Sequence, residues 1–288
     1  MNKNKAIRYA IYAALLYAVS TPFSKILMEK IPPAFMAGLL YLGAAAGMVI
    51  TTLFSRKKSK EEASFTHKDI PYLILMVILD IAAPILLMTA LKYSSAESVS
   101  LLNNFEIVAT SLIALLIFKE KISPRLWIAI TLITAASIML SLSENGSLTI
   151  SVYSLLALLA CCCWGLENNC TRKLSNRDPA KIVIIKGFGS GTGSVIVALL
   201  CGERLKITPY ILLALLLGFI AYGLSIYTYV YAQRYIGAAK TSAFYALAPF
   251  IGALISLVLF PKIPSWLFII SFVIMALGAF LAIEKERT

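Results

Sequence analysis

Long apolar blocks alternate with short polar connections along the whole chain. Each block is about 20 residues long, which is the length at which an α-helix spans a bilayer. The pattern therefore predicts an all-α polytopic membrane protein with ten transmembrane helices and little chain outside the bilayer. The predicted spans are 7–27, 34–54, 70–91, 96–118, 125–142, 152–174, 180–201, 209–232, 238–260 and 265–283.

Composition supports this class and excludes others. Apolar residues make up 60% of the chain and charged residues 14%, whereas soluble domains have about 45–50% and about 25%. Disordered, collagen-like and disulfide-stabilised chains, and typical soluble enzymes, are thereby excluded. The lipid bilayer is the expected surrounding.

The basic residues explain the net charge of +12 and predict the orientation. With the N-terminus in the cytoplasm, 19 of the 26 Lys and Arg residues fall on the cytoplasmic side. Such a bias is typical of cytoplasmic loops, so we predict a plasma-membrane protein with both termini cytoplasmic. The positive charge needs no nucleic-acid partner to explain it.

The chain repeats itself internally. Residues 90–118 align without a gap on residues 232–260, and residues 17–25 align on residues 164–172. Matched pairs include Ala90 with Ala232, Tyr93 with Tyr235, Ser100 with Ser242 and Tyr17 with Trp164.

The repeat divides the chain into two five-helix halves, 1–145 and 146–288. Because five is odd, the second half must cross the membrane in the opposite sense to the first. Inverted repeats of this kind are typical of secondary transporters, whose substrate site lies near the midplane between the repeats.

Short motifs and topology together resemble the drug/metabolite transporter superfamily, specifically its EamA-type members. The motifs are Phe-Lys-Glu-Lys-Ile-Ser at 118–123 and Ala-Pro-Phe-Ile-Gly-Ala at 248–253. Two departures are Phe-Pro-Lys at 260–262, where the family usually has a Glu, and Glu106, near the place where the second half has Pro249. The resemblance implies transport of small metabolites, commonly amino acids or amines, usually outward.

Three acids lie inside predicted spans: Asp80 in the third, Glu106 in the fourth and Glu167 in the sixth. Each charge at mid-bilayer costs about 2.5–3.5 kcal/mol on insertion scales. The acids must therefore face a hydrated cavity, pair with a base or be protonated. We predict that they hold a substrate ammonium or carry a coupling proton.

Helical geometry adds aromatic and polar residues to this group. At about 100° per residue, they form stripes that predict a cavity lined by spans one, three, four, six, eight and nine. The further predicted substrate-binding or proton-coupling residues are Tyr17, Asn103, Trp164, Asn168, Tyr222, Tyr229 and Tyr245. Alternatively, such Asn and Tyr side chains only hydrogen-bond between helices.

Lys186, inside span seven, has two possible roles. It is a counter-charge to the acids, or its long side chain reaches the membrane interface. The excess of buried acids over bases favours a cationic or zwitterionic substrate. Sugar-phosphate or nucleotide-sugar transport would need more buried Lys or Arg.

No motif for a cofactor, a metal or ATP is found. The glycine-rich run 187–194 follows no strand and lacks the Lys-Ser/Thr of a phosphate loop, and the single histidine, His67, lies in a predicted loop. We therefore predict that the protein is not an enzyme and binds no cofactor. We predict instead a secondary transporter that works by alternating access and exports small amino-acid or amine metabolites. Protons are the candidate coupling ion. A broad-specificity organic-cation or drug exporter is the alternative, and a channel or receptor is a different class.

Overall fold

The computed structural model describes residues 3–54, 65–119, 123–143, 151–236, 241, 244–261 and 263–282. Within these ranges the chain is helical and has no β-strand, as predicted. The α-helices are α1 (Lys3–Ala18), α2 (Ser20–Leu27), α3 (Pro33–Phe54), α4 (Ile70–Tyr93), α5 (Ala96–Leu102), α6 (Phe105–Phe118), α7 (Pro124–Ser143), α8 (Val152–Leu174), α9 (Pro179–Leu200), α10 (Tyr210–Gly218), α11 (Ser225–Ile236), α12 (Leu247–Leu259) and α13 (Trp266–Ala282).

Six helical stretches in the described chain are long and apolar enough to cross a bilayer: Lys5–Leu27, Pro33–Phe54, His67–Tyr93, Ala96–Ile117, Pro179–Leu200 and Tyr210–Ile236. Three shorter apolar helices are Pro124–Leu140, Leu247–Leu259 and Trp266–Leu281. Helix α8 has 23 residues but carries more polar side chains and does not join the six. The membrane class of the chain is thus confirmed, while ten crossings stay a prediction.

Several predicted spans are interrupted helices. Pro22 has no backbone N–H to donate to the carbonyl of Ala18, and α1 gives way to α2 at this point. Between α5 and α6 the backbone tightens, because the amides of Glu106 and Ile107 bond the carbonyls three residues back rather than four.

A helix break also occurs in the predicted ninth span. Helix α6 begins at Phe105 and α12 begins at Leu247, and these two positions are equivalent in the alignment of residues 90–118 on 232–260. We refer to the turns before α6 and α12 as the matched turns. Ser242, which the alignment pairs with Ser100, lies outside the described residues.

A π-helical segment, Phe219–Leu224, joins α10 to α11. Single π-helical turns inside α-helices are often found at functional sites. This one carries Tyr222, which is only 2% exposed, and packs against α3.

The helices pack in pairs that the predicted repeat interchanges. Helix α3 packs on α9, and α7 packs on α13. When the two predicted halves are exchanged, the two helices of each of these pairs change places. The contact of α4 with α8 corresponds to that of α11 with α1, and the contact of α6 with α8 corresponds to that of α12 with α1. Helix α3 runs antiparallel to α9, because Gly38 lies beside Val195 while Ala45 lies beside Gly187.

Two close helix crossings also occupy equivalent positions. A methyl group on Gly165 would lie 2.8 Å from the backbone nitrogen of Thr110, and one on Gly252 would lie 3.0 Å from the carbonyl oxygen of Ala18. In the repeat alignment Gly165 corresponds to Ala18 and Thr110 to Gly252. Small residues at these crossings let the backbones approach closely, as in many membrane helix pairs.

Candidate functional site

An ion cluster lies at the centre of the bundle. The Lys186 ammonium on α9 is 3.0 Å from the Asp80 carboxylate on α4 and 2.8 Å from the Glu167 carboxylate on α8. Asp80 is fully buried, Glu167 is 3% exposed and Lys186 is 4% exposed. Such charges remain buried only when they are paired and further hydrogen-bonded.

Two hydroxyl groups complete this cluster. The Tyr41 hydroxyl on α3 donates to Asp80 Oδ1 at 2.9 Å, and the Thr171 hydroxyl donates to Glu167 Oε1. Four helices are thereby joined through one ammonium group and two carboxylates. The Lys186 ammonium therefore lies beside the acids, as a counter-charge would, and does not extend towards the membrane interface.

Glu106 stands apart from the cluster. It lies in the first turn of α6, where the positive end of the helix dipole favours a carboxylate. The side-chain amide of Asn168 donates to Glu106 Oε1 at 2.5 Å. Glu106 is half-buried, and no ion pair to it is found among the described residues. It is thus an acid held by a neutral partner.

We refer to Asp80, Glu106, Glu167 and Lys186 as the charged wall. A second group, which we refer to as the tyrosine wall, consists of Tyr17, Tyr41, Tyr222, Tyr229 and Tyr245. Their rings contact one another in a continuous chain, Tyr41–Tyr222–Tyr17–Tyr245–Tyr229, with centroid distances of 5.1, 5.7, 5.4 and 5.0 Å. Edge-to-face and tilted contacts of this kind are the favoured ring geometries.

The two walls line one cavity of about 60 Å³. It is lined by Tyr17, Tyr41, Asp80, Glu106, Trp164, Glu167, Asn168, Thr171, Lys186, Tyr222, Ile226, Tyr229, Val230 and Tyr245. Ten of the eleven side chains selected from the sequence, Lys186 included, are in this set. Their roles in binding or proton coupling stay predictions.

Asn103 is the exception. It is 5% exposed and lies against Cys161 of α8, whose sulfur is 4.0 Å from the side-chain oxygen Oδ1 of Asn103. The expectation that it lines the cavity is therefore not met. The helical projection assumes an unbroken helix, and Asn103 is located in the tightened turn before α6.

The predicted set omitted four residues that also line the cavity, namely Tyr41, Thr171, Ile226 and Val230. It also omitted spans two and seven from the cavity, although Tyr41 and Lys186 come from them. Tyr41 is a tyrosine among small and aliphatic residues in span two, which is a weak signal. Ile226 and Val230 give no signal, because aliphatic residues fill every span.

A polar cavity with paired and unpaired acids, inside a bundle of membrane-length apolar helices, is the arrangement of a membrane transporter. The family model of the EamA-like transporter family matches residues 4–142 and again residues 151–283. The chain belongs to the EamA-like transporter family, within the drug/metabolite transporter superfamily. The resemblance seen in the sequence is thus confirmed.

Two of the proteins that are similar to the chain illustrate the likeness. An "Uncharacterized transporter" of Methanothermobacter thermautotrophicus is 26% identical over 293 residues, which cover 94% of this chain and 84% of that protein. A solved crystal structure superposes with a TM-score of 0.72 at 16% identity, covering 96% of this chain and 95% of that one. The second likeness shows a shared fold.

Proposed function

We propose that the protein is a secondary active transporter that exports small amino-acid or amine metabolites by alternating access, with protons as the coupling ion. The observation that carries the proposal is the central cavity, in which three acids and one base lie among membrane-length apolar helices. Ionisable groups inside a membrane protein are costly, and they mark substrate and ion pathways.

The proposed motion is a rocking of two inverted halves, 1–145 and 146–288, about this cavity. Three observations support it. The family model matches twice, the helix contacts fall into equivalent pairs, and α3 is antiparallel to its repeat counterpart α9. With the excess of basic residues on one side, both termini are proposed to be cytoplasmic.

The proposed substrate carries a positive charge. Lys186 is the base in the cavity lining, and it already contacts two carboxylates. A phosphate group would need free Lys or Arg side chains, so sugar phosphates and nucleotide sugars fit poorly. An ammonium group, in contrast, can form an ion pair with the Glu106 carboxylate.

Counterflow tests the proposal. Purified protein is reconstituted into liposomes loaded with an unlabelled amino acid or amine, and entry of the labelled compound is followed. A carrier produces a transient accumulation of label above equilibrium, whereas a channel gives entry without such an overshoot. An imposed pH gradient should change the rate of accumulation if protons are coupled.

Variants link this transport to the cavity. Glu106→Gln and Asp80→Asn should each lower the counterflow rate by about tenfold or more, which corresponds to about 1.4 kcal/mol. Glu29→Gln removes an exposed acid after α2 and should transport as the wild type does. Unchanged rates in both cavity variants would refute the role assigned to these acids.

A further inference from the structure

We infer that the ligand of the cavity is an organic ammonium ion without a carboxylate group, and that Glu106 is the residue that pairs with its charge. The inference deepens the proposed transport function, and it rests on that function for the movement of the ligand. It selects amines over amino acids.

The cavity has no free cation for a ligand carboxylate among the residues that the structure describes. An amino acid carries an ammonium and a carboxylate, and the carboxylate needs a cation or several good donors. Lys186 is the base that lines the cavity in the described part of the chain. Its ammonium is held by Asp80 at 3.0 Å and by Glu167 at 2.8 Å. A ligand carboxylate would have to displace one of these acids and leave it buried and unpaired, which is strongly unfavourable.

The acids of the charged wall would repel a ligand carboxylate. When all four groups of the charged wall are ionised, three carboxylates face one ammonium. A ligand carboxylate brought into this cavity would meet the same negative charges that attract an ammonium. Like charges in a partly buried site interact strongly, because little water screens them. The charged wall therefore selects against a zwitterion as well as for a cation.

Glu106 is the acid of the charged wall that can pair with a ligand ammonium. Glu106 accepts a hydrogen bond from the neutral amide of Asn168, and no cation pairs with it in the described residues. Its half-buried position leaves part of the side chain accessible from the cavity. The carboxylate is therefore oriented and still able to accept an ion pair from a ligand.

The uncharged body of the ligand would meet aromatic rings. The tyrosine wall lines the same cavity as the acids, and Trp164 adds a further ring to the lining. Aromatic rings attract cations through their faces and pack well on apolar groups. An ammonium carried on an aryl or alkyl group matches both walls.

The test uses three compounds that share one phenyl ring and differ in charge: phenethylamine, phenylalanine and 3-phenylpropionate. Their binding to the purified full chain at neutral pH is measured by titration calorimetry. We expect phenethylamine to bind with a Kd at least about tenfold lower than that of phenylalanine. We expect 3-phenylpropionate, a plain anion, to bind most weakly.

Variants test the residue. Glu106→Gln should raise the Kd for phenethylamine by about tenfold or more and remove the preference over phenylalanine, while Glu106→Asp, which keeps the charge, should retain that preference. Glu29→Gln is the matched control. Melting temperatures close to the wild type show that each variant is folded.

The outcomes separate this inference from the proposed function. Any of three results overturns the inference: phenylalanine binds as tightly as phenethylamine or more tightly, phenethylamine does not bind, or the preference for phenethylamine persists in Glu106→Gln. If one of these results is found and amino acids still show counterflow, the transport proposal stands. Preferential binding of phenethylamine without counterflow of any compound supports the ligand class and refutes transport.

Discussion

The two walls of the cavity are built on different physical principles. In the charged wall, ion pairs hold Asp80, Glu167 and Lys186, so that removal of one of these three leaves an uncompensated charge. The tyrosine wall is held by ring contacts between 5.0 and 5.7 Å, and each ring can lose its hydroxyl without losing its packing. The charged wall therefore determines both the charge of the cavity and the stability of the protein, whereas the tyrosine wall determines the shape of the cavity.

Removing the ammonium from the charged wall should have the largest effect. Lys186→Met leaves Asp80 and Glu167 buried without a cation, and loss of one partner of a buried ion pair costs about 3–5 kcal/mol. We expect a large fall in the melting temperature of the purified protein. Lys181→Met is the control on the same helix, because Lys181 is 63% exposed and such surface changes are usually within about 0.5 kcal/mol.

A triple variant checks the cause of this loss. Lys186→Met combined with Asp80→Asn and Glu167→Gln removes the two charges along with their partner. Replacing a whole buried ion cluster is often close to neutral, so much of the lost melting temperature should return. A triple variant as unstable as Lys186→Met alone would contradict the pairing.

Removing the hydrogen bond that joins the two walls should have an intermediate effect. Tyr41→Phe keeps the ring contact with Tyr222 but loses the bond to Asp80. Hydrogen bonds to charged groups are worth about 1.5–3 kcal/mol, and we expect a loss of stability in this range. Tyr12→Phe, at a residue 56% exposed, is the control and should melt like the wild type.

A double-mutant cycle sharpens this result. If the Tyr41 hydroxyl acts through Asp80, Tyr41→Phe should cost much less in the Asp80→Asn background than in the wild type. Residues that share a bond typically show coupling energies of about 0.5–3 kcal/mol. Additive losses would mean that the hydroxyl contributes by another route.

Removing a hydroxyl within the tyrosine wall should have the smallest effect. Tyr245→Phe loses only a long contact of 3.4 Å with the Ser225 hydroxyl, and the ring contacts with Tyr17 and Tyr229 remain. We expect a stability change below about 1 kcal/mol and an unchanged Kd for phenethylamine. A large loss of affinity would show instead that this hydroxyl binds the ligand directly.

Hydropathy predicts the long helices well. It predicts spans at 34–54, 70–91 and 180–201, and the structure has Pro33–Phe54, Ile70–Tyr93 and Pro179–Leu200. The reason is physical, because an apolar block must match the bilayer and end where polar residues reach water.

The buried acids are equally visible in the sequence. Asp80, Glu106 and Glu167 stand out because an ionisable residue in an apolar span is costly and needs a reason. The sequence does not tell which of them Lys186 contacts. That choice depends on where α4, α8 and α9 cross, which is a property of tertiary packing.

The direction in which a helical residue faces, towards the cavity or towards another helix, is the least predictable property. The projection at about 100° per residue holds for a regular helix, and the tightened turn before α6 changes the phase between Asn103 and Glu106. Glu106 consequently reaches the cavity while Asn103 lies against Cys161. A local change of backbone hydrogen bonding thus separates two residues that the projection groups together.

The matched turns before α6 and α12 have one further consequence. At equivalent positions just after them, the first half has Glu106 and the second half has Ala248. The helix break occurs at both positions, but the acid is present in a single copy. If Glu106 anchors the cargo, each polypeptide carries one molecule per cycle, and a titration should saturate at one equivalent.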